Sequence, residues 1–173
     1  MPTDTQKNND SAAPAANTPG REFARKFNNT LVELQLQTGI HRRIENLMND
    51  WAAEHPNLRA SYISREVDAG YFQGEDSPPE ALSRPKMQGI AVEGDRMYEF
   101  VAFAQGMRRD VAQLESIVHI QETWLEPKAD EPFVLKVVLY HTFPAATVLL
   151  GSTGDQQDMI QDFLTRVKYL KGW

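Results

Sequence analysis

The longest apolar run of the chain extends from Pro132 to Leu150 and reads PFVLKVVLYHTFPAATVLL. A membrane-spanning helix needs about 20 nearly uninterrupted apolar residues, whereas Lys136, His141 and Pro144 interrupt this run. Its many valine, leucine and aromatic residues are instead typical of buried strands. The pattern therefore predicts two core strands that meet at a corner at Pro144.

Three segments place apolar residues at the spacing of an amphipathic helix. The first is Ile40–Ala53, which Pro56 follows as a stop signal. The second extends from an N-cap at Asp95 to Ser116. The third is Asp155–Lys171, whose acidic start and basic end complement the helix dipole and whose successor, Gly172, suits a left-handed cap. Its predicted buried face consists of Met159, Ile160, Phe163, Val167 and Leu170.

Three shorter segments are predicted strands because they alternate or are rich in β-branched residues. Leu58–Val67 suits a sheet edge, Met87–Val92 is short, and Ile117–Leu125 precedes the apolar run. We expect Ile117–Leu125 to form a hairpin with the run, centred near Ala129. That register places Trp124 opposite Leu135, Ile120 opposite Leu139, Val118 opposite His141 and His119 opposite Tyr140.

The first 38 residues contain two segments with different predicted structures. Met1–Gly20 contains no aromatic residue and no leucine, isoleucine or valine, so we expect a disordered tail that has nothing to bury. Arg21–Thr38 fits a helix through Phe23 and its neighbours, but Thr30–Gln37 alternates strictly. We favour a strand at Thr30–Gln37, with a helix as the alternative, and expect a break near Thr38.

These elements together predict one α+β domain, residues 21–173, with amphipathic helices on one face of a largely antiparallel sheet. A chain of 173 residues with 41% hydrophobic residues is of ordinary size and composition for one domain. The segment Asp68–Glu93 is irregular, rich in glycine and proline, and acidic in its middle. Long connections of this kind are often functional.

The charge and the cysteine count exclude several functions. The formal net charge is −6, which makes nucleic acid an unlikely partner and disfavours an anionic membrane. The chain contains no cysteine, which rules out disulfides and thiolate metal sites and fits the reducing cytoplasm. No nucleotide-binding or metal-binding motif is present, so we expect neither a cofactor nor a bound metal.

Two sets of residues are candidates for chemistry. His141, Glu122, Tyr140 and Trp124 lie on the predicted hairpin and would line a pocket between the sheet and the 68–93 loop. Ser152 and Thr153 lie in the turn Gly151–Asp155 before the last helix, where free N–H groups bind anions. An ordinary helix cap explains the same turn. His119 and His141 fall on opposite faces of the hairpin, which argues against a shared metal.

The sequence favours a non-enzymatic protein–protein interaction or assembly module that associates with itself. The reason is that its large aromatic residues exceed what one small core would hide, while no catalytic motif accompanies them. These aromatic residues are Trp51, Tyr71, Phe72, Trp124, Tyr140 and Trp173. The alternative is a small-molecule-binding enzyme or sensor that uses the pocket described above.

The predicted core can be tested at Leu139, in the middle of the apolar run. Leu139→Ala should lower the free energy of unfolding by about 2–5 kcal/mol, because it removes a large side chain from a central strand. Urea denaturation of the variant and the parent protein measures this difference. A loss below about 1 kcal/mol would show that this run is not the core.

Overall fold

Three helices and seven strands make up the part of the chain that the computed structural model describes, residues 17–67, 85–142 and 146–173. The helices are α1 (Pro19–Val32), α2 (Thr38–Glu54) and α3 (Gly154–Lys171). The strands are β1 (Ala60–Ser64), β2 (Pro85–Glu93), β3 (Arg96–Phe103), β4 (Gly106–Gln113), β5 (Ile117–Leu125), β6 (Val134–His141) and β7 (Ala146–Gly151). The predicted α+β class with antiparallel pairing is confirmed.

The strands form two antiparallel sheets rather than one. The first sheet has the order β1-β2-β3-β4 and the second the order β5-β6-β7. Within each sheet the paired strands are therefore neighbours in sequence. The apolar run supplies β6 and β7, as predicted, and Leu139 is fully buried. The predicted corner at Pro144 lies outside the described residues. The predicted edge strand is β1, which pairs with β2 alone.

The register of the β5–β6 hairpin agrees with the prediction over most of its length. Trp124 pairs with Leu135, Ile120 with Leu139 and His119 with Tyr140. The predicted pair of Val118 and His141 is wrong, because the register shifts between Ile117 and His119 and Ile117 faces His141 instead. A shift of this kind is a β-bulge, in which two residues of one strand oppose one residue of the other.

Strand β3 lies between two hydrophobic cores, and all its residues after Arg96 are buried. Its Tyr98, Phe100 and Ala102 belong to a core that α1 and α2 complete. Its Met97 belongs to a second core, which includes residues of α3 and of the second sheet. The helices therefore cover both faces of the first sheet, whereas the sequence predicted helices on one face only.

The predicted helix from Asp95 to Ser116 is wrong. That segment forms β3 and β4, which pair from Arg96–Gln113 to Phe103–Gly106, and a single 3₁₀ turn follows at Leu114–Ser116. A strand buried on both faces carries apolar residues without alternation. The apolar spacing of β3 therefore resembles the helical period, and Gly106 begins β4.

The start of the fold also differs from the prediction. The favoured strand at Thr30–Gln37 is wrong: α1 continues to Val32 and turns follow, although the predicted break is found where α2 begins at Thr38. The side chain of Thr18 caps α1 by accepting a hydrogen bond from the Arg21 N–H at 3.2 Å. Gly20 is buried in the first turn. The fold thus includes the end of the predicted tail, and residues 1–16 lie outside the described range.

Helix α3 has the predicted length and C-terminal cap. Gly172 has a φ of +72°, a left-handed conformation that glycine adopts without steric cost. The N-cap is Thr153, whose side chain accepts from the Gln156 N–H. Met159, which was predicted to be buried, is exposed, and Leu164 is buried instead. None of the described helices is both long and apolar enough to cross a membrane.

The irregular segment Asp68–Glu93 is described only at its end. The predicted strand Met87–Val92 is confirmed and extends to Pro85–Glu93. Residues 68–84 lie outside the described range, and with them lies most of the loop that was expected to cover a pocket.

The close contact at Gly20 gives a test of the packing. A Cβ atom there would lie 2.0 Å from the backbone oxygen of His55, whereas a Cβ atom on Gly39 would meet nothing within 4 Å. Gly20→Ala should therefore destabilise the protein by about 1–3 kcal/mol through overpacking. Gly39→Ala, the matched control in α2, should be neutral or stabilise it by up to about 1 kcal/mol. Urea denaturation compares them, and equal effects would contradict the packing of α1 against the end of α2.

Candidate functional site

The two described sheets have four edge strands, which differ in how far other groups cover or block them. An edge strand presents unpaired backbone N–H and C=O groups, which bind another strand unless they are covered or blocked. The edges are β1 and β4 in the first sheet and β5 and β7 in the second.

The edge of β7 is covered by two side chains of the first sheet. The Tyr62 hydroxyl donates to the Leu150 carbonyl at 3.2 Å, and the Gln88 side-chain amide donates to the Val148 carbonyl at 3.0 Å. Burial raises the pKa of Tyr62 to about 12, so this hydroxyl keeps its proton at neutral pH. These two bonds join the second sheet to the first and leave β7 with fewer free acceptors.

The amide of Gln88 is held in turn by Glu99, the one charged residue inside β3. The Gln88 Nε2 atom donates to a Glu99 carboxylate oxygen at 3.1 Å. Glu99 is only 7% exposed, and this burial raises the pKa of its carboxyl group to about 7. The hydrogen bond from Gln88 and the charge of Arg108 act in the opposite direction. The Arg108 guanidinium lies 3.7 Å from Glu99 but closer to Asp110, at 2.8 Å, and the negative charge of Asp110 also raises the pKa of Glu99.

The edges of β4 and β1 are protected in other ways. Strand β4 carries charged residues in its middle, and its Arg108 and Asp110 pair at 2.8 Å; charges on an edge disfavour strand addition. Strand β1 has only five residues. Its residues 60–63 line a groove of about 580 Å³ between α1 and α3, together with Lys26 and Asp158.

Within the part of the chain that the structure describes, no side chain caps the edge of β5 as at β7, and β5 carries no run of charged residues as β4 does. The strand has nine residues, and apart from His119 its only ionisable side chain is that of Glu122. Val118 is 54% exposed, Trp124 is 53% exposed and Leu125 is 44% exposed. A long strand of β-branched and aromatic residues with an open edge is a template for pairing with another chain. The bulge at Ile117–His119 leaves the remaining seven residues in regular register.

Two further exposed aromatic residues lie beside this edge. Phe133 is exposed and directly precedes Val134, which pairs with Leu125. Tyr140 is exposed, pairs with His119, and donates its hydroxyl to the Gln121 side chain at 2.9 Å. We call these residues together the β5 surface: Val118, Trp124, Leu125, Phe133 and Tyr140. The sequence analysis named Trp124 and Tyr140, but it missed Val118, Leu125 and Phe133, although β5 contains a single Asp, Glu, Lys or Arg residue.

The described residues do not bring the four predicted pocket residues together. Trp124 lies at one end of the β5–β6 hairpin and His141 at the other, about 20 Å apart at the usual rise of a strand. Glu122 turns towards α3, where it accepts a hydrogen bond from Gln161 at 3.3 Å and lies 4.0 Å from the Lys168 ammonium. Tyr140 is on the opposite face of β6 from His141.

His141 forms a saturated hydrogen-bond cluster. Its Nδ1 atom lies 2.7 Å from the Ser116 hydroxyl, which donates its own proton to the Gln113 carbonyl. Nδ1 must therefore carry the proton, and Nε2 accepts from the Thr147 hydroxyl at 3.0 Å. Burial, with the charge of Lys171, lowers the pKa of His141. A neutral imidazole with both nitrogen atoms engaged positions the strand end and leaves no free base.

The predicted anion site is occupied by a carboxylate of the chain itself. The Ser152 N–H donates to Glu66 at 2.7 Å, and the Ser152 hydroxyl donates to the other oxygen of the same carboxylate. Thr153 accepts from the Gln156 N–H at 3.3 Å as an N-cap. The turn thus attracts an anion, as its sequence indicates, and Glu66 supplies it.

Comparisons with known proteins give no family to which these features can be transferred. Neither the models of protein families nor the curated proteins match this sequence. Within residues 17–67, 85–142 and 146–173, no group of three or more histidine or carboxylate residues is arranged to hold a metal ion. The functional argument therefore rests on the edges and clefts described for this chain.

The buried Glu99 gives the stability a measurable pH dependence. Its pKa in the folded state, about 7, lies above the ordinary value of 4.5, so the folded protein holds a proton that the unfolded chain releases. The contribution of Glu99 is fully present below about pH 4.5 and is lost as pH rises through about 7, by up to about 3 kcal/mol. Glu99→Gln should remove this loss of stability. Urea denaturation of the variant and the parent protein, at pH values from about 4.5 to above 7, measures the free energy of unfolding. Parallel pH profiles of the two proteins would contradict the burial of this carboxyl group.

Proposed function

We propose that this protein is a non-enzymatic assembly module that forms a homodimer through the edges of β5. The observation that carries the proposal is the contrast among the four described edges: β7 is capped, β4 is charged and β1 is short and recessed, whereas β5 is long and open. The excess of large aromatic residues noted in the sequence supports the same function in part. Trp51 is buried, but Trp124, Tyr140 and Trp173 are exposed.

A twofold axis at Gln121, the middle residue of β5, gives the most favourable antiparallel pairing. It sets Val118 of one copy opposite Trp124 of the other, and this apolar pair occurs twice. Moving the axis to Glu122 would place two carboxylates opposite each other, which is unfavourable on neighbouring strands. With the axis at Gln121, two uncharged amides meet at the centre, and the two three-stranded sheets join into one of six strands.

The strength of this contact follows from its size. Strand pairing satisfies the free backbone groups of β5, and burial of apolar side chains adds about 25 cal/mol per Å². The patch is smaller than an obligate interface, which buries about 2,000 Å² or more. We therefore expect a reversible dimer with a dissociation constant of the order of micromolar. The cysteine-free composition supports the cytoplasm as its compartment.

A pair of matched valine variants tests the location of the contact. Val118 on β5 and Val32 at the end of α1 are exposed to a similar extent, 54% and 59%. Val118→Lys should raise the dissociation constant at least about tenfold, because two lysines would be buried against tryptophan at the twofold pairs. Val32→Lys should leave it unchanged. Sedimentation velocity over a range of concentrations measures the fraction of the 19.6 kDa monomer.

A charge pair tests the register. In the double variant V118K/W124E each introduced lysine faces an introduced glutamate of the other copy, so dimerisation should recover relative to V118K alone. No recovery would contradict the axis at Gln121. A parent protein that remains a strict monomer, or equal loss in V118K and V32K, would contradict the proposal itself.

A further inference from the structure

A cleft lies between the C-terminal half of α2 and the β3–β4 hairpin. It has a volume of about 350 Å³, at the lower end of the usual range for small-molecule sites, about 300–1,000 Å³. Sequence reasoning missed it because two of its walls belong to strands that were predicted as a helix. Neither the β5 surface nor the proposed dimer contact shares a residue with it.

The floor of the cleft is a rigid aromatic group. The Trp51 and His55 rings stack at 4.5 Å with an interplanar angle of 11°, and Tyr98 meets the Trp51 ring edge-on at 5.3 Å. His55 is fixed at both nitrogen atoms. Its Nδ1 donates to the Trp51 carbonyl at 2.7 Å, so Nε2 accepts from the Tyr98 hydroxyl at 3.2 Å. These side chains need no rearrangement when a ligand enters.

One wall of the cleft is acidic. Asp50 and Glu54 are four residues apart on α2 and line the cleft together, about one helical turn from each other. Their position is unfavourable for the helix itself: like charges at this spacing repel, and the C-terminal end of a helix prefers cations. The last turn of α2 contains no basic residue that would offset them. The wall therefore attracts a cationic group.

The opposite wall is basic. Arg96 on β3 and Arg109 on β4 line the cleft and lie on either side of the paired residues Tyr98 and Val111. Each is two residues along its strand from that pair, so the two guanidinium groups can reach the same ligand from both sides. Guanidinium groups bind carboxylates through two parallel hydrogen bonds.

The two charged walls face each other without contact. Within the described part of the chain, neither carboxylate and neither guanidinium forms an ion pair or a side-chain hydrogen bond. The Trp51 indole N–H, on a residue only 4% exposed, also has no partner among the described residues. Buried polar groups are ordinarily paired, so this N–H, on a residue that lines the cleft, is a further group with an unused hydrogen bond.

We propose that the cleft binds a zwitterion of amino-acid size. The ammonium group of the ligand faces Asp50 and Glu54, its carboxylate faces Arg96 and Arg109, and its carbon skeleton lies over the Trp51 floor. A ligand with both charges satisfies the two walls at once, whereas a simple anion or cation leaves one wall repelled.

Isothermal titration calorimetry on the full chain tests this site with glycine, L-leucine and L-phenylalanine. Each amino acid is compared with its amide, which lacks the carboxylate, and with its N-acetyl derivative, which lacks the ammonium group. At least one free amino acid should bind about tenfold more tightly than either derivative, because each derivative loses a charged hydrogen-bonding group. No saturable binding of any of the three would overturn the proposal.

Two charge-neutralising variants assign the walls. Arg109→Gln should weaken binding of the free amino acid about tenfold without changing the affinity for its amide, which has no carboxylate to lose. Asp50→Asn should weaken binding of the free amino acid without changing the affinity for its N-acetyl derivative. Arg43→Gln and Asp158→Asn, on exposed helical positions outside the cleft, serve as controls. Equal losses for the free amino acid and both derivatives would overturn the assignment, and thermal melting confirms that each variant is folded.

Discussion

The structure depends on the burial of β3 on both faces. From Met97 to Phe103 no residue of this strand has a solvent-facing side, so the first sheet is stable only when two separate layers cover it. Helices α1 and α2 supply one layer, and α3 with the second sheet supplies the other. The close packing of aromatic rings on the helical side, with Phe100 near Phe23, Phe27 and Trp51, leaves no room for a shift in register.

The burial of β3 also determines the surroundings of the polar groups that titrate or bind. Glu99 is enclosed by the same layers and can be neutral at pH values where an exposed carboxylate is charged. The open β5 edge and the α2 cleft lie on opposite sides of the first sheet, one beyond the second core and one beside the first. A partner at the former and a small molecule at the latter would not compete for space. Any influence of one on the other would have to pass through β3 and its neighbours.

The sequence predicted five of the seven strands, including the buried strand β2, together with helices α2 and α3, and it failed at β3, β4 and the segment that follows α1. The β5–β6 register followed from alternation and a plausible turn, whereas the bulge at Ile117–His119 followed from neither. Strand β3 was mispredicted because a strand buried on both faces has no period of two, and the helix predicted from its apolar spacing also covered the largely exposed strand β4. The α2 cleft could not be predicted after that error, since Arg96 and Arg109 approach Asp50 only through the hairpin. The Ser152 turn binds a carboxylate of the chain itself, that of Glu66, 86 residues away in sequence, and Thr153 forms the helix cap that the sequence analysis gave as the other explanation of this turn.

The joins between the two sheets have a consequence for the order of folding. Each sheet pairs only neighbours in sequence, and such local contacts form early at low entropic cost. The bonds that unite the sheets are the distant ones: Tyr62 to Leu150 spans 88 residues and Gln88 to Val148 spans 60. These contacts can form only after both sheets exist, so they belong to the native side of the main barrier. Weakening these two hydrogen bonds should speed unfolding while the folding rate stays nearly constant. The contacts between the two sheets therefore determine the lifetime of the folded state.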